Sequence, residues 1–238
     1  MPTSNNSVKQ MGGIYIKKYG SKKPIGKYYF RLMLGIIGIK QPIEYYGKNK
    51  RLEFERNTLQ LWKSYCLNVP NVIQVKKSEL YLSAIKGETC AEIFNKSIDF
   101  DLILKIFIDV NNRHELAIKF NEPTLCHVDA NLGNILYSDN KLFHIDFEMG
   151  REYEAVNVWA EREITKLLIS LSGVVGINSM KRVVSIFLNT YTHTSIVRRF
   201  INQKISEQSV SNGANETKYR LINLALDMKE CMVGSYDD

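Results

Sequence analysis

The stretch Leu125-Cys-His127-Val-Asp129-Ala-Asn131-Leu-Gly-Asn134-Ile-Leu-Tyr137, continued by Lys141-Leu-Phe-His-Ile145-Asp146-Phe147-Glu148, restricts the chain more than any other. Its texture is short apolar runs separated by polar turns, and Ser138-Asp139-Asn140 is a hairpin signal. Taken singly, Asp129 reads as a helix cap or Asx-turn, and Asp146 as a strand-end carboxylate in water. Their joint spacing is different in kind. Asn134 follows Asp129 by five residues, and Asp146 comes twelve after that. Phosphoryl transfer from ATP needs one carboxylate to accept the proton of an attacking hydroxyl, and an amide and a second carboxylate to hold Mg²⁺. A hairpin through Ser138–Asn140 would bring Asn134 and Asp146 to neighbouring strand ends, within reach of one metal.

Length and charge narrow the setting. The 238 residues suffice for one large domain or two lobes, and 45% hydrophobic with 24% charged residues excludes a mostly disordered chain. The four cysteines (Cys66, Cys90, Cys126, Cys231) form no C-x-x-C pair, so buried thiols in a reducing compartment are expected rather than disulfides or a zinc site. The polar opening Met1-Pro-Thr-Ser predicts no secretory signal, and the apolar run Phe30–Ile39, with Arg31 inside, is too short to span a bilayer. A cytoplasmic protein is expected. Net charge is +7, yet residues 1–51 alone hold eleven Lys or Arg against Glu44, leaving the remainder acidic. Around Tyr28–Ile39 the residues Lys22, Lys23, Lys27, Arg31, Lys40, Lys48, Lys50 and Arg51 admit two readings. One is peripheral contact with an anionic membrane at its inner face; the other is a half-buried connecting helix with solvated lysines. No RNP-type, zinc-finger or helix-turn-helix pattern appears, so no nucleic-acid partner is expected.

Periodicity predicts a front part, 1–85, and a larger, mainly helical part, 86–238. Ile14–Tyr19 alternates and reads as one short strand. Residues 24–40 read as a helix or amphipathic connection, and Leu52–Leu67 as a helix ending before Pro70. Val72–Val75 and Leu80–Ile85 form a strand pair, and Ile98–Phe120 a helix starting at Asp99 or Asp101. Helical segments follow at Ala160–Ser172, Met180–Tyr191, Ser195–Ile205 and Lys218–Met232.

The central stretch resembles the catalytic loop H-x-D-x-x-x-x-N and the metal loop D-F-G or D-F-E of the protein-kinase-like superfamily. With Asn131 inside it, the variant looks most like the Kdo and core-heptose kinases of bacterial lipopolysaccharide, relatives of the aminoglycoside kinases. Ile14-Tyr-Ile-Lys17 matches the V-A-I-K strand, and Arg51-x-x-x-Glu55-x-x-x-Leu59 the start of the helix whose glutamate pairs with that lysine. Val69-Pro70 and Tyr81–Gly87 resemble the next strand pair and hinge.

The resemblance implies a two-lobed α+β fold, with an abbreviated β-lobe and a mainly helical second lobe. It implies an ATP- and Mg²⁺-dependent kinase acting on a sugar hydroxyl of a glycan or glycolipid acceptor. Asp129 would be the base, Asn134 and Asp146 the metal ligands, and Lys17 and Glu55 the phosphate-positioning pair. Lys18 and Glu53 compete with the latter two, and the fold of each element decides. His127 is expected to bond backbone near the loop rather than act as a base. No G-x-G-x-x-G precedes Lys17, and the room before it suggests no full two-strand glycine loop. Val128 stands where regulated protein kinases carry arginine, and no A-P-E follows Asp146. A small atypical protein Ser/Thr kinase, an aminoglycoside-type kinase and a non-catalytic pseudokinase remain as alternatives.

Overall fold

Strands rich in β-branched and aromatic residues meet helices of 3.6-residue periodicity, and the computed structural model shows where each lies for residues 6–20, 47–148, 155–208 and 216–234. The fold is α+β: a small antiparallel sheet early in the chain, and mostly helix later. The chain divides into two compact units, Met1–Ile85 with Asp146–Glu152, and Lys86–Ile145 with Tyr153–Asp238. Residues 24–40 and most of the basic segment 22–51 lie outside the described residues.

The first unit holds β1 (Ser7–Met11), β2 (Ile14–Lys18), β3 (Val72–Lys76) and β4 (Glu79–Ser83), in the spatial order β1-β2-β4-β3. Register places Lys17 opposite Val8 on one side and Leu80 on the other. β1 corrects the expectation that Ile14–Tyr19 stands as a single strand with no room before Lys17 for a second. Gly12 and Gly13 both take positive φ, 53° and 83°, which permits a two-residue hairpin turn. The strand left no alternation to read because all five of its residues are exposed. Helix α1 (Lys48–Ser64) buries Arg51, Leu52, Glu55, Thr58, Leu59 and Trp62, one continuous stripe of its surface. It stops at Tyr65, where Cys66 turns left-handed at φ 58°.

The second unit begins with β5 (Glu88–Thr89), which pairs with the hairpin β6 (Ile135–Ser138) and β7 (Lys141–His144) in the order β5-β6-β7. Asp139 and Asn140 supply the two positive-φ turn residues, 49° and 62°. β5 passes so near β6 that a Cβ on Gly87 would lie 2.5 Å from the Tyr137 carbonyl oxygen. Helix α2 (Cys90–Lys96), which periodicity did not reveal, is fastened by a capping box between Thr89 and Glu92. Helix α3 (Phe100–Phe120) starts at Asp99, whose carboxylate accepts from the Asp101 and Leu102 amides. The two helices expected at Ala160–Ser172 and Met180–Tyr191 are both present, as the two halves of α4 (Val156–Thr190) on either side of a kink at Gly176, whose φ of 70° and ψ of 165° are not helical. Helices α5 (Thr194–Gln208) and α6 (Glu216–Gly234) complete the unit. Phe107 of α3 packs edge-on against Phe187 of α4 at 5.1 Å. Of the cysteines, Cys90 and Cys126 are buried as expected, whereas Cys66 and Cys231 are exposed; all four are free thiols.

Between α3 and α4 lies a buried polar cluster that holds the loop after Leu125. Glu163 of α4 takes the Arg113 guanidinium on both oxygens, at 2.5 and 3.1 Å. Its Oε2 also sits 3.0 Å from His114 Nε2 and accepts the His127 backbone N–H at 2.6 Å. Burial would raise the Glu163 carboxyl, but Arg113 and then His114 hold it well below the ordinary range. His127 donates from Nε2 to the Ile145 carbonyl at 2.8 Å, the backbone role expected of it. Burial first, and His144 second, lower its pKa from 6.5 to about 4.

Two measurements check these placements. Gly87→Ala should cost about 1–3 kcal/mol in chemical unfolding, since the new methyl meets backbone that cannot yield cheaply. Gly173→Ala, with nothing near its Cβ inside α4, should instead gain about 0.5–1 kcal/mol. Equal effects would contradict the close pass of β5. The second measurement is of pH. An unfolded His127 binds its proton near pH 6.5, while the folded one refuses it until about pH 4. Stability should therefore fall with falling pH across that window, by about 1.4 kcal/mol per pH unit for this one proton. His127→Gln keeps a donor for the Ile145 carbonyl and should flatten the slope by that share, with His114 retaining its own. An unchanged slope would mean that His127 is not the buried neutral group.

Candidate active site

In the first unit, strand parity settles which lysine faces inward. Lys17 is buried and Lys18 has a side chain 62% exposed, paired only loosely with Glu79 at 3.6 Å. Helix parity settles the glutamate in the same way. Glu55 lies on the buried stripe of α1, and the Glu53 side chain is 66% exposed. Lys17 Nζ stands 2.7 Å from Glu55 Oε2, 2.5 Å from Asp146 Oδ1 and 3.8 Å from Glu148 Oε2. Burial alone would push this ammonium toward neutrality, but Glu55, Asp146 and Glu148 outweigh it and raise its pKa above the ordinary lysine value. The Tyr19 hydroxyl donates to Glu55 as well. Burial raises the Glu55 carboxyl, Lys17 opposes that rise, and Asp146 adds to it.

Four residues of this cluster, Tyr19, Arg51, Glu148 and Asn6, carried no role in the sequence reading. Arg51, buried in the same helical stripe, meets Glu148 Oε2 at 3.0 Å and the Gly20 carbonyl at 2.5 Å. Asn6 joins them, donating its amide to Glu148 and accepting from Arg51 at 3.2 Å. Arg51 stood in the motif that located Glu55, and Glu148 is the third residue of D-F-E, so both were in view without a partner. Among the described residues the cluster brings Glu55, Asp146 and Glu148 to Lys17 and Arg51. Glu55 and Glu148 are buried and engaged by protein, while the Asp146 side chain is 38% exposed. Asp146 is thus the carboxylate able to offer an oxygen to a magnesium ion. Its backbone is left-handed, at φ 66°.

In the second unit the loop after His127 is organised by its own amides. Asn131 caps the short 3₁₀ turn Leu132–Asn134, accepting the Gly133 N–H at 2.9 Å. The Asn134 amide nitrogen donates to the Asp129 carbonyl at 2.9 Å and lies 3.4 Å from Asp129 Oδ2. The amide nitrogen is thereby spent on Asp129, so Oδ1 is the atom of this side chain that a metal could use. Asn134 also accepts the Ile145 N–H at 3.0 Å through its backbone carbonyl, which ties the loop to the end of β7. Lys166 of α4 reaches Asp129 Oδ1 at 3.4 Å. Joint ligation by Asn134 and Asp146 joins residues of different units and rests on the motif order alone.

No protein-family model matches the chain. Over 155 residues, 63% of this chain, it is 27% identical to the probable bifunctional tRNA threonylcarbamoyladenosine biosynthesis protein of Methanosphaera stadtmanae. The matched stretch spans 27% of that relative's length. This finding corrects the resemblance to lipopolysaccharide kinases. The short motifs around Asp129 and Asp146 do not distinguish among kinase-like lineages, and the longer alignment leads to a tRNA-modification protein instead.

Proposed function

We propose that the chain is a kinase-like, ATP- and Mg²⁺-dependent phosphotransferase that works in the biosynthesis of a modified tRNA nucleoside. The observation that carries the reading is the buried Lys17–Glu55 pair with Asp146 on the same ammonium. A lysine kept charged by a buried glutamate is a fixed cation for phosphate oxygens, and a half-exposed aspartate beside it suits a metal. The relative's name supports the setting in tRNA modification, and with it the glycolipid acceptor loses its basis.

In this reading Lys17 holds the nucleotide phosphates, and Glu55 with Tyr19 keeps the lysine in place. Asp146, and by the motif order Asn134, would hold the metal, which would offset phosphate charge. Asp129 orients the acceptor hydroxyl and takes its proton as the new P–O bond forms and the β–γ bridging bond breaks, releasing ADP. A non-catalytic nucleotide-binding role is the second reading, favoured by the two-residue Gly12-Gly13 turn, which leaves no long loop to cover phosphates.

The test is turnover of γ-labelled ATP with Mg²⁺, alone and with unmodified tRNA or its modifying proteins. Asp146→Ala should abolish label release and transfer, whereas Asp129→Ala should lose roughly 10²–10⁴ in rate. Equal turnover in wild type and Asp146→Ala would end the phosphotransferase reading. At the nucleotide, Lys17→Ala should raise the KM for ATP and lower kcat, with Lys18→Ala close to wild type. Thermal shift with Mg²⁺ and ATP reports the same ranking through binding alone. A larger loss at Lys18 would contradict the inward face of β2.

A further inference from the structure

Helix α4 presents Glu163, Lys166 and Ser170 along one face, and each meets a successive part of the loop 127–134. Glu163 accepts the His127 N–H at 2.6 Å, and Ser170 Oγ accepts the Leu132 N–H at 3.0 Å. Spacings of three and four residues put these side chains one above another. The middle member differs from its neighbours. Lys166 meets a side chain rather than backbone, its Nζ lying 3.4 Å from Asp129 Oδ1, and it is 53% exposed. Such a pair adds about 0–1 kcal/mol to stability, so the fold has little use for a lysine there.

The chemistry has more. Residues 127–134 contain no Lys or Arg, so the loop itself brings a carboxylate and no cation to where a phosphoryl group must arrive. Asp129 is held on both oxygens, by Lys166 at 3.4 Å and by the Asn134 amide at 3.4 Å. Negative charge moving onto the transferred group would be repelled by Asp129 unless a cation stands beside it. We propose that Lys166 is that cation: a catalytic residue, delivered by α4 rather than by the loop, that contacts the phosphoryl group in transit. The proposal rests on the phosphotransferase reading above.

The experiment uses the full chain with Mg²⁺ and ATP. Lys166→Met should lower kcat by about 10- to 100-fold, below the full value of a buried electrostatic donor because solvent screens the ammonium, with KM for ATP little changed. Lys166→Arg should restore most of the rate, and Lys181→Met, exposed on the same helix, should match wild type. Melting temperatures should agree across all four proteins. A second readout needs no turnover: acetylation of Lys166, followed by mass spectrometry, should be suppressed by Mg·ADP with aluminium fluoride and far less by Mg·ADP alone. Wild type that turns over while Lys166→Met keeps its rate, or Lys166 labelled equally in both complexes, overturns this role alone. Wild type with neither turnover nor protection overturns the phosphotransferase reading, and this role with it.

Discussion

A carboxylate removed from water must find its donors in the protein, and Glu163 finds three of them in two places. Arg113 and His114 come from α3, and the third donor is the His127 amide at the entry to the loop. The cost of desolvating the charge is recovered only when all are present, so the two helices and the loop are fixed together or not at all. The positions of Asp129 and Asn134 are inherited from that arrangement. The loop then adds its own capping bonds through Asn131 and its tie to Ile145.

The first unit solves the same problem in a different way. There, among the described residues, Lys17 and Arg51 meet Glu55, Asp146 and Glu148. The side chains that meet Glu163 are all buried, whereas Asp146 keeps a side chain 38% exposed beside the Lys17 ammonium. A buried carboxylate ringed by protein donors holds the fold, while a partly exposed one beside a fixed cation can also meet a divalent ion and, through it, phosphate. The two clusters differ in access to solvent.

Much of this was legible where the information is local. The Asp139-Asn140 turn, the Asp99 cap and the stripe of α1 are all written within a few residues of where they act. Parity singled out one lysine of Lys17-Lys18 and one of Glu53 and Glu55 once strand and helix were assigned. Exposed β1 and two-residue β5 carry no alternation to read, and α2 shows only through the Thr89–Glu92 box. Contacts between distant positions were beyond reach. Arg51 meets Glu148 across 97 positions, and Lys166 is an ordinary helical lysine until the fold brings it to Asp129. The short motifs misdirected the lineage for a related reason: they report the chemistry of ATP, which many acceptors share.

The left-handed backbone at Asp146 has a consequence for how this position can change over time. Only glycine, asparagine and aspartate take φ near 66° at small cost. The position is thus filtered twice, once for a carboxylate and once for a backbone. A lineage that gave up catalysis would drift here toward Asn or Gly, which relieve the charge and keep the turn. Residues with branched side chains would unsettle the loop that also carries Phe147 against Trp62. Loss of chemistry and loss of fold leave different residues at the same place, and the sequence of a relative at this one position would tell which had occurred.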